Sequence, residues 1–176
     1  IYHNGLFQTG LFRPGNRLFN FRLDMLAAYP KVLHHTINAL IENYIFDEYE
    51  RLVCTASATP LATGIALKTE IPLVYSSGQS ESARYDLIGA YDVGHPTCLI
   101  VNTLENHDDL QIFINKARGV GLDIRTIISV VALESPAIDN VEVFALYTLE
   151  NFVDHLQKRS LLSDRQMQAI LSDNID

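Results

Sequence analysis

From Pro30 to Tyr147 the chain alternates short, largely apolar runs with longer stretches of helical spacing, and this alternation restricts the fold more than any other feature. The apolar runs are 52–55, 71–75, 97–101, 123–133 and 141–147. Their apolar residues are continuous rather than every second one, as in strands covered on both faces. Between them, Val32, Leu33, Thr36, Ile37, Leu40, Ile41, Tyr44 and Ile45 recur along one face of a helix. Residues 59–68 and 109–118 read as two more helices. Strands joined by crossover helices predict an α/β fold, with a central, mainly parallel sheet flanked by helices.

Local signals set the boundaries. Pro30 suits a first helical turn, and 47–51 end that helix. Thr59 is placed to cap the next helix, with Pro60 at its first position. Gly119 and Gly121 stop the third. Thr148 caps the first of two terminal helices, and Ser163 with Gln166 forms a capping box for the second. The first 29 residues are aromatic-rich and broken by Gly5, Gly10, Pro14 and Gly15, which favours short strands and turns. We therefore expect one domain over 1–176: a small N-terminal hood (1–29), an α/β core (30–147) and C-terminal helices (148–176). A chain of 176 residues is the right length for one core.

Charge removes several functions. The formal net charge is −8 and no Lys/Arg cluster interrupts it, so no nucleic-acid or anionic-membrane partner is expected. No run approaches the ~18 apolar residues of a membrane span, and no signal-peptide pattern appears, so a cytoplasmic location is expected. The chain opens on Ile1 rather than Met, which leaves room for a leader or a first helix ahead of it. Cys54 and Cys98 lie in apolar strand runs and are expected as reduced core residues, not a disulfide.

An open parallel sheet binds ligands beyond the carboxyl ends of its strands, which points to the loops 55–59, 76–84 and 102–109. The order of segments around these loops resembles the orotate phosphoribosyltransferases, of the type I phosphoribosyltransferase fold. Gly10, Leu11, Phe12, Arg13, Pro14 and Gly15, followed by Phe19 and Arg22, are similar to that family's hood stretch. Residues 60–66 followed by Ile71, Pro72 and Leu73 resemble its first loop, helix and next strand. Residues 87–101 resemble the approach to its signature strand, and Thr148, Leu149, Glu150 and the last helix its carboxyl end. The resemblance spans nearly the whole chain through order and spacing, with no single motif intact. It implies a homodimer and a small-molecule ligand. In an active member it further implies transfer of ribose 5-phosphate from phosphoribosyl pyrophosphate to orotate or a related base, with Mg²⁺ and release of pyrophosphate.

The departures bear on that activity. The family signature is a hydrophobic strand, two acidic residues and a Thr/Gly-rich loop around the 5′-phosphate. Here the acidic pair falls on Asn102 and Thr103, and the loop on Asn106, His107, Asp108 and Asp109. Glycines let backbone N–H groups close on a phosphate at a helix start. Asp108 and Asp109 would cap that helix with their own carboxylates instead. One carboxylate about 4 Å from one phosphate charge costs about 1 kcal/mol in water and about 4 at an effective dielectric near 20. The family's basic mobile loop falls on 76–82, which carry no Lys or Arg, leaving Arg84 and more distantly Lys68. The orotate-side Arg falls near Leu133 and Glu134. Arg13 stands where the family has a substrate-binding Lys.

Remaining candidates are weaker. Ser57 lies in a strand–helix turn without the glycines of a nucleophile elbow. His34 and His35 point about 100° apart on one helix, which does not favour joint ligation. Possible ligand-binding residues are Arg13, Phe19, Thr55, Ser57 and Arg84, with no metal site and no cofactor expected; Arg13 also reads as a solvated hood residue, and Phe19 with Phe21 as hood packing. The reading is a phosphoribosyltransferase-like protein that has lost transfer and acts as a binding or regulatory module. The alternatives are a working transferase, with Mg²⁺, and a purely structural half of a dimer.

Overall fold

Parallel pairing of Arg51–Cys54 with Pro96–Leu104 forms the centre of the molecule, in a computed structural model that describes residues 1–10, 17–79, 86–105, 107–133, 138 and 140–173. In chain order the strands are β1 (Phe7–Thr9), β2 (Phe19–Phe21), β3 (Arg51–Cys54), β4 (Leu73–Ser76), β5 (Leu87–Ile88), β6 (Pro96–Leu104), β7 (Asp123–Ala132) and β8 (Glu142–Thr148). The helices are α1 (Pro30–Asn43), α2 (Thr59–Thr69), α3 (His107–Gly119), α4 (Leu149–Lys158) and α5 (Asp164–Asp173). Strands β3 to β8 make a six-stranded sheet in the order β5-β4-β3-β6-β7-β8, parallel except where β5 pairs with β4. This is the mainly parallel, helix-flanked sheet that the alternation predicts.

The continuous apolar strands bury both faces. On one side Cys54, Cys98, Ile100, Ile128 and Val130 meet α1, α2, α4 and α5. On the other, Val53, Leu99, Val101 and Ile127 meet Leu110, Ile114 and Ala117 of α3. Both cysteines are free and buried, and burial pushes the Cys54 thiol up to about 12, so neither offers a reactive thiolate.

The hood is the two-stranded antiparallel pair β1-β2, seated on the core through aromatic rings. Phe7 packs on Phe21 at 4.8 Å between ring centroids and edge-on to Phe152 of α4 at 5.1 Å. Tyr2 donates its hydroxyl to the Leu161 carbonyl, 3.1 Å away.

Several boundaries differ from the sequence reading. Helix α1 stops at Asn43 rather than Ile45, because Tyr44 turns extended and takes its hydroxyl to Tyr49 (2.7 Å) and Thr126 (3.3 Å). Thr59 does not cap α2. A 3₁₀ turn at Ala56–Ala58 runs straight into the helix, and the Thr59 hydroxyl donates to the Ala56 carbonyl at 2.9 Å. Strand β6 continues to Leu104, so Asn102 and Thr103 lie on the strand and not in a loop. Two other signals act as read: Thr148 accepts from Asn151 N–H, and Ser163 and Gln166 bond reciprocally.

Gly64 sets the spacing of α1 and α2. A Cβ there would lie 2.1 Å from Cδ1 of Ile37, whose side chain is buried in the core. Gly64→Val should therefore lower the denaturant midpoint, at a cost of about 1–3 kcal/mol from overpacking. Combined with Ile37→Ala it should cost less than the sum of the two single changes, because each supplies the space the other lacks.

Candidate functional site

The strand order reverses direction between β3 and β6. From β3 the chain moves outward to β4, whereas from β6 it moves the other way to β7 and β8. The segments leaving β3 and β6 consequently pass to opposite faces, α2 on one and α3 on the other, and a crevice opens between them at the strand ends. A pocket of about 290 Å³ occupies this crevice. Thr55 and Ser57 line it from the turn after β3, Asn102, Thr103 and Glu105 from the end of β6, and Asp109 and Phe113 from α3.

Five residues singled out in the sequence thus meet around one cavity: Thr55, Ser57, Asn102, Thr103 and Asp109. Asn102 fastens its two walls together, its Nδ2 donating to the Ser57 carbonyl at 2.9 Å. That bond orients the amide and leaves Oδ1 buried with no hydrogen-bond partner among the described residues. The turn after β3 closes on itself, with Ala58 N–H bonded to the Thr55 carbonyl at 3.0 Å. Asp108 and Asp109 fall within the first turn of α3 rather than before it, both exposed, where their charge complements the helix dipole. No Lys or Arg is among the described lining residues.

The remaining candidates lie elsewhere. Phe19, read as a possible ligand contact, is only 2% exposed and packs between Phe7 and Phe21 as hood core. Lys68 lines a groove between the carboxyl ends of α1 and α2, at the amino ends of the strands and away from the crevice. Arg22 is engaged with Asp24 at 3.2 Å. Arg13, Arg84, Asn106 and Glu134 lie outside the described residues, as does the side chain of His107. The rings of His34 and His35 meet edge to face at 6.0 Å. Among the described residues no three His, Cys, Asp or Glu side chains converge on a metal position.

Two features of the site were missed in the sequence. Arg17 reaches from the hood to Glu105, Nη1 to Oε2 at 3.1 Å, and so binds the hood to the rim of the pocket. Its place between other hood arginines gave no sign of this. Asp86, 1% exposed, forms a buried node: it accepts from Ser76 Oγ (2.6 Å), Ser77 Oγ (2.9 Å) and Lys116 Nζ (2.8 Å), the last from α3. Burial alone would push its carboxyl up. The hydrogen bonds from Lys116, Ser76 and Ser77, with the Lys116 charge, outweigh burial and hold it well below the usual carboxylate range.

Compared with known proteins, the chain matches no protein-family model and no curated protein sequence. Its backbone does match solved structures. The UMP synthase of Leishmania donovani superposes over 97% of this chain with a TM-score of 0.80 and 17% identity. The chain spans only 39% of that protein. The orotate phosphoribosyltransferase of Francisella tularensis matches 97% of this chain and 93% of its own, with a TM-score of 0.71 and 15% identity. That of Aeropyrum pernix matches 89% and 96%, with a TM-score of 0.73 and 16% identity. The chain has the fold of the orotate phosphoribosyltransferases. In this type I phosphoribosyltransferase fold, β3, β6 and the crevice between them are the parts on which the pocket stands.

The Asp86 node makes stability depend on acid. Its folded pKa lies below the unfolded value of about 3.9, so its contribution is complete above that pH and falls away as the pH drops further. Asp86→Asn should cost about 2–3 kcal/mol at neutral pH. That is less than the 3–5 of a fully buried pair, because Lys116 retains 16% exposure through which to reach water. Thermal melts between pH 3 and 7 should show a shallower acid dependence in the variant than in the wild type.

Proposed function

We propose that this chain is an orotate phosphoribosyltransferase-like protein that no longer performs transfer from phosphoribosyl pyrophosphate and acts as a binding or regulatory module. One observation carries the reading: the pocket at the strand ends presents the carboxylates of Glu105 and Asp109, and no basic side chain is among its described lining residues. A phosphate there would use the α3 helix end, worth about half a positive charge, against full negative charges in the same turn. At about 4 Å each such charge opposes the phosphate by about 4 kcal/mol at an effective dielectric near 20. The dipole does not offset that.

The chemistry of transfer lacks its other supports. A departing pyrophosphate needs cations placed where its charge develops. The segment 76–79, where the resemblance expects the start of the family's basic loop, is Ser76, Ser77, Gly78 and Gln79. Its two serines are committed to Asp86. Asn102 and Thr103, standing at the family's acidic pair, are neutral and give Mg²⁺ no carboxylate, so the metal does not fit at those positions. A homodimer with a small-molecule ligand belongs to the same reading.

Calorimetry with phosphoribosyl pyrophosphate and Mg²⁺ tests it. No binding heat is expected, and a micromolar dissociation constant would restore the working transferase. A second measurement addresses the cause. Changing Asp108 and Asp109 together to Gly should produce thermal stabilisation by inorganic phosphate that the wild type lacks. If neither protein responds to phosphate, the shape of this turn excludes the anion and charge is not the reason.

A further inference from the structure

Strand β8 closes one side of the six-stranded sheet, and nothing in its sequence protects that edge. An unpaired edge offers a row of N–H and C=O groups to any extended chain, and soluble proteins blunt it with shortness, Lys, Pro or a bulge. The opposite edge, β5, is blunted by its length of two residues. Strand β8 runs for seven, with no Lys, Pro or Gly and a single charge, Glu142. Its register against β7 is uniform from Glu142 to Thr148, so no bulge bends it away. Among the described residues, the backbone of 142–147 makes no hydrogen bond except to β7. Burial falls off at the same place. Ile127, Ile128, Val130 and Val131 of β7 are 0% exposed, whereas Val143, Phe144, Ala145 and Leu146 are only half-buried and Tyr147 is exposed. The flanking helices cover β7 and leave the edge strand part-open on both faces.

We propose that β8 pairs antiparallel with β8 of a second copy of this chain, about a two-fold axis at Ala145, joining the two six-stranded sheets into one. The inference rests on the homodimer of the proposed function and gives it a surface; it does not depend on whether transfer is lost. A strand that meets its own copy faces itself at the axis. Ala145 is the middle residue of the strand and its smallest side chain, so the two copies touch where there is least bulk. Pairing outward from it sets Phe144 across from Leu146 and Val143 across from Tyr147, an apolar pair and a β-branched–aromatic pair of the kind that stabilises sheets. Glu142 meets Thr148, and the two Glu142 carboxylates stand about 20 Å apart at opposite ends. A parallel meeting would set them side by side, where like charges oppose pairing. Any extended peptide could use the backbone edge, but only a second copy uses this placement of the small residue and the charge. Of the sheet's two edges only β8 is long, so the contact closes on itself as a dimer and does not grow into a filament.

Sedimentation equilibrium over a concentration series, together with cross-linking through single introduced cysteines, tests the surface and its register. The wild type should be a dimer. Tyr147→Lys places a charge on the pairing edge at a position 39% exposed, and should weaken the dimer about tenfold or more with an unchanged far-UV spectrum. Ala145→Cys should give a disulfide-linked dimer under mild oxidation, because directly paired Cα atoms lie about 4.5–5.5 Å apart, within disulfide reach. Val143→Cys should not, since its two copies would stand about 13 Å apart along the strands. The native thiols do not interfere, Cys54 and Cys98 both being free and 0% exposed. A monomer at every concentration sinks the homodimer and this inference together. A dimer that withstands Tyr147→Lys and is not cross-linked by Ala145→Cys sinks this inference alone. Cross-linking at 143 in preference to 145, or assembly that grows past the dimer, overturns it as well.

Discussion

The bond from Asn102 Nδ2 to the Ser57 carbonyl holds the candidate site in register. It joins the ends of β3 and β6 where the sheet's strand order reverses, so the turn entering α2 and the turn entering α3 cannot move apart independently. Backbone pairing of Leu52 with Cys98 and of Cys54 with Ile100 brings the two strands side by side. The amide then extends that alignment one step past the last paired residues. A carboxylate at position 102 would have no hydrogen to give the Ser57 carbonyl and would face it as a second acceptor. The neutral amide thus closes this turn by a contact that an acid could not make.

The architecture was legible in the sequence because it is written redundantly. The strand cores at 52–54, 73–75 and 98–101 are continuous apolar runs, and 127–132 is one broken only by the buried Ser129, the pattern that burial on both faces demands. Thr148 and the Ser163–Gln166 box were readable because capping is local, needing only residues within one turn. Boundaries failed where a distant partner decided them. Tyr44 continues the α1 period, yet it leaves the helix for Thr126, which lies 82 positions away in sequence.

The site was legible only in part, for the same reason. Thr55, Ser57, Asn102, Thr103 and Asp109 could be named because the ends of parallel strands converge by rule. Phe19 was open to two readings, hood packing or ligand contact, because an aromatic side chain in a turn-rich segment reads alike whether it faces a ligand or its own neighbours; it packs in the hood. Arg17 and Asp86 could not be found at all. Each acquires its meaning from one residue far along the chain, Glu105 for the first and Lys116 for the second. Isolated charges in a sequence carry no record of whom they will meet.

Helix α3 supplies one partner of the second pairing and also lines the pocket. Asp109 stands at the pocket and Lys116, two turns on, grips Asp86 beside the Ser76–Gln79 turn. Seven residues of helix span about 10 Å and form a nearly incompressible strut. A small tilt of α3 at the cavity mouth would therefore arrive at the Asp86 node as a comparable tilt, carried by the helix itself and bypassing the sheet. The cavity mouth and the Ser76–Gln79 turn would then report on each other's position through a single rigid member.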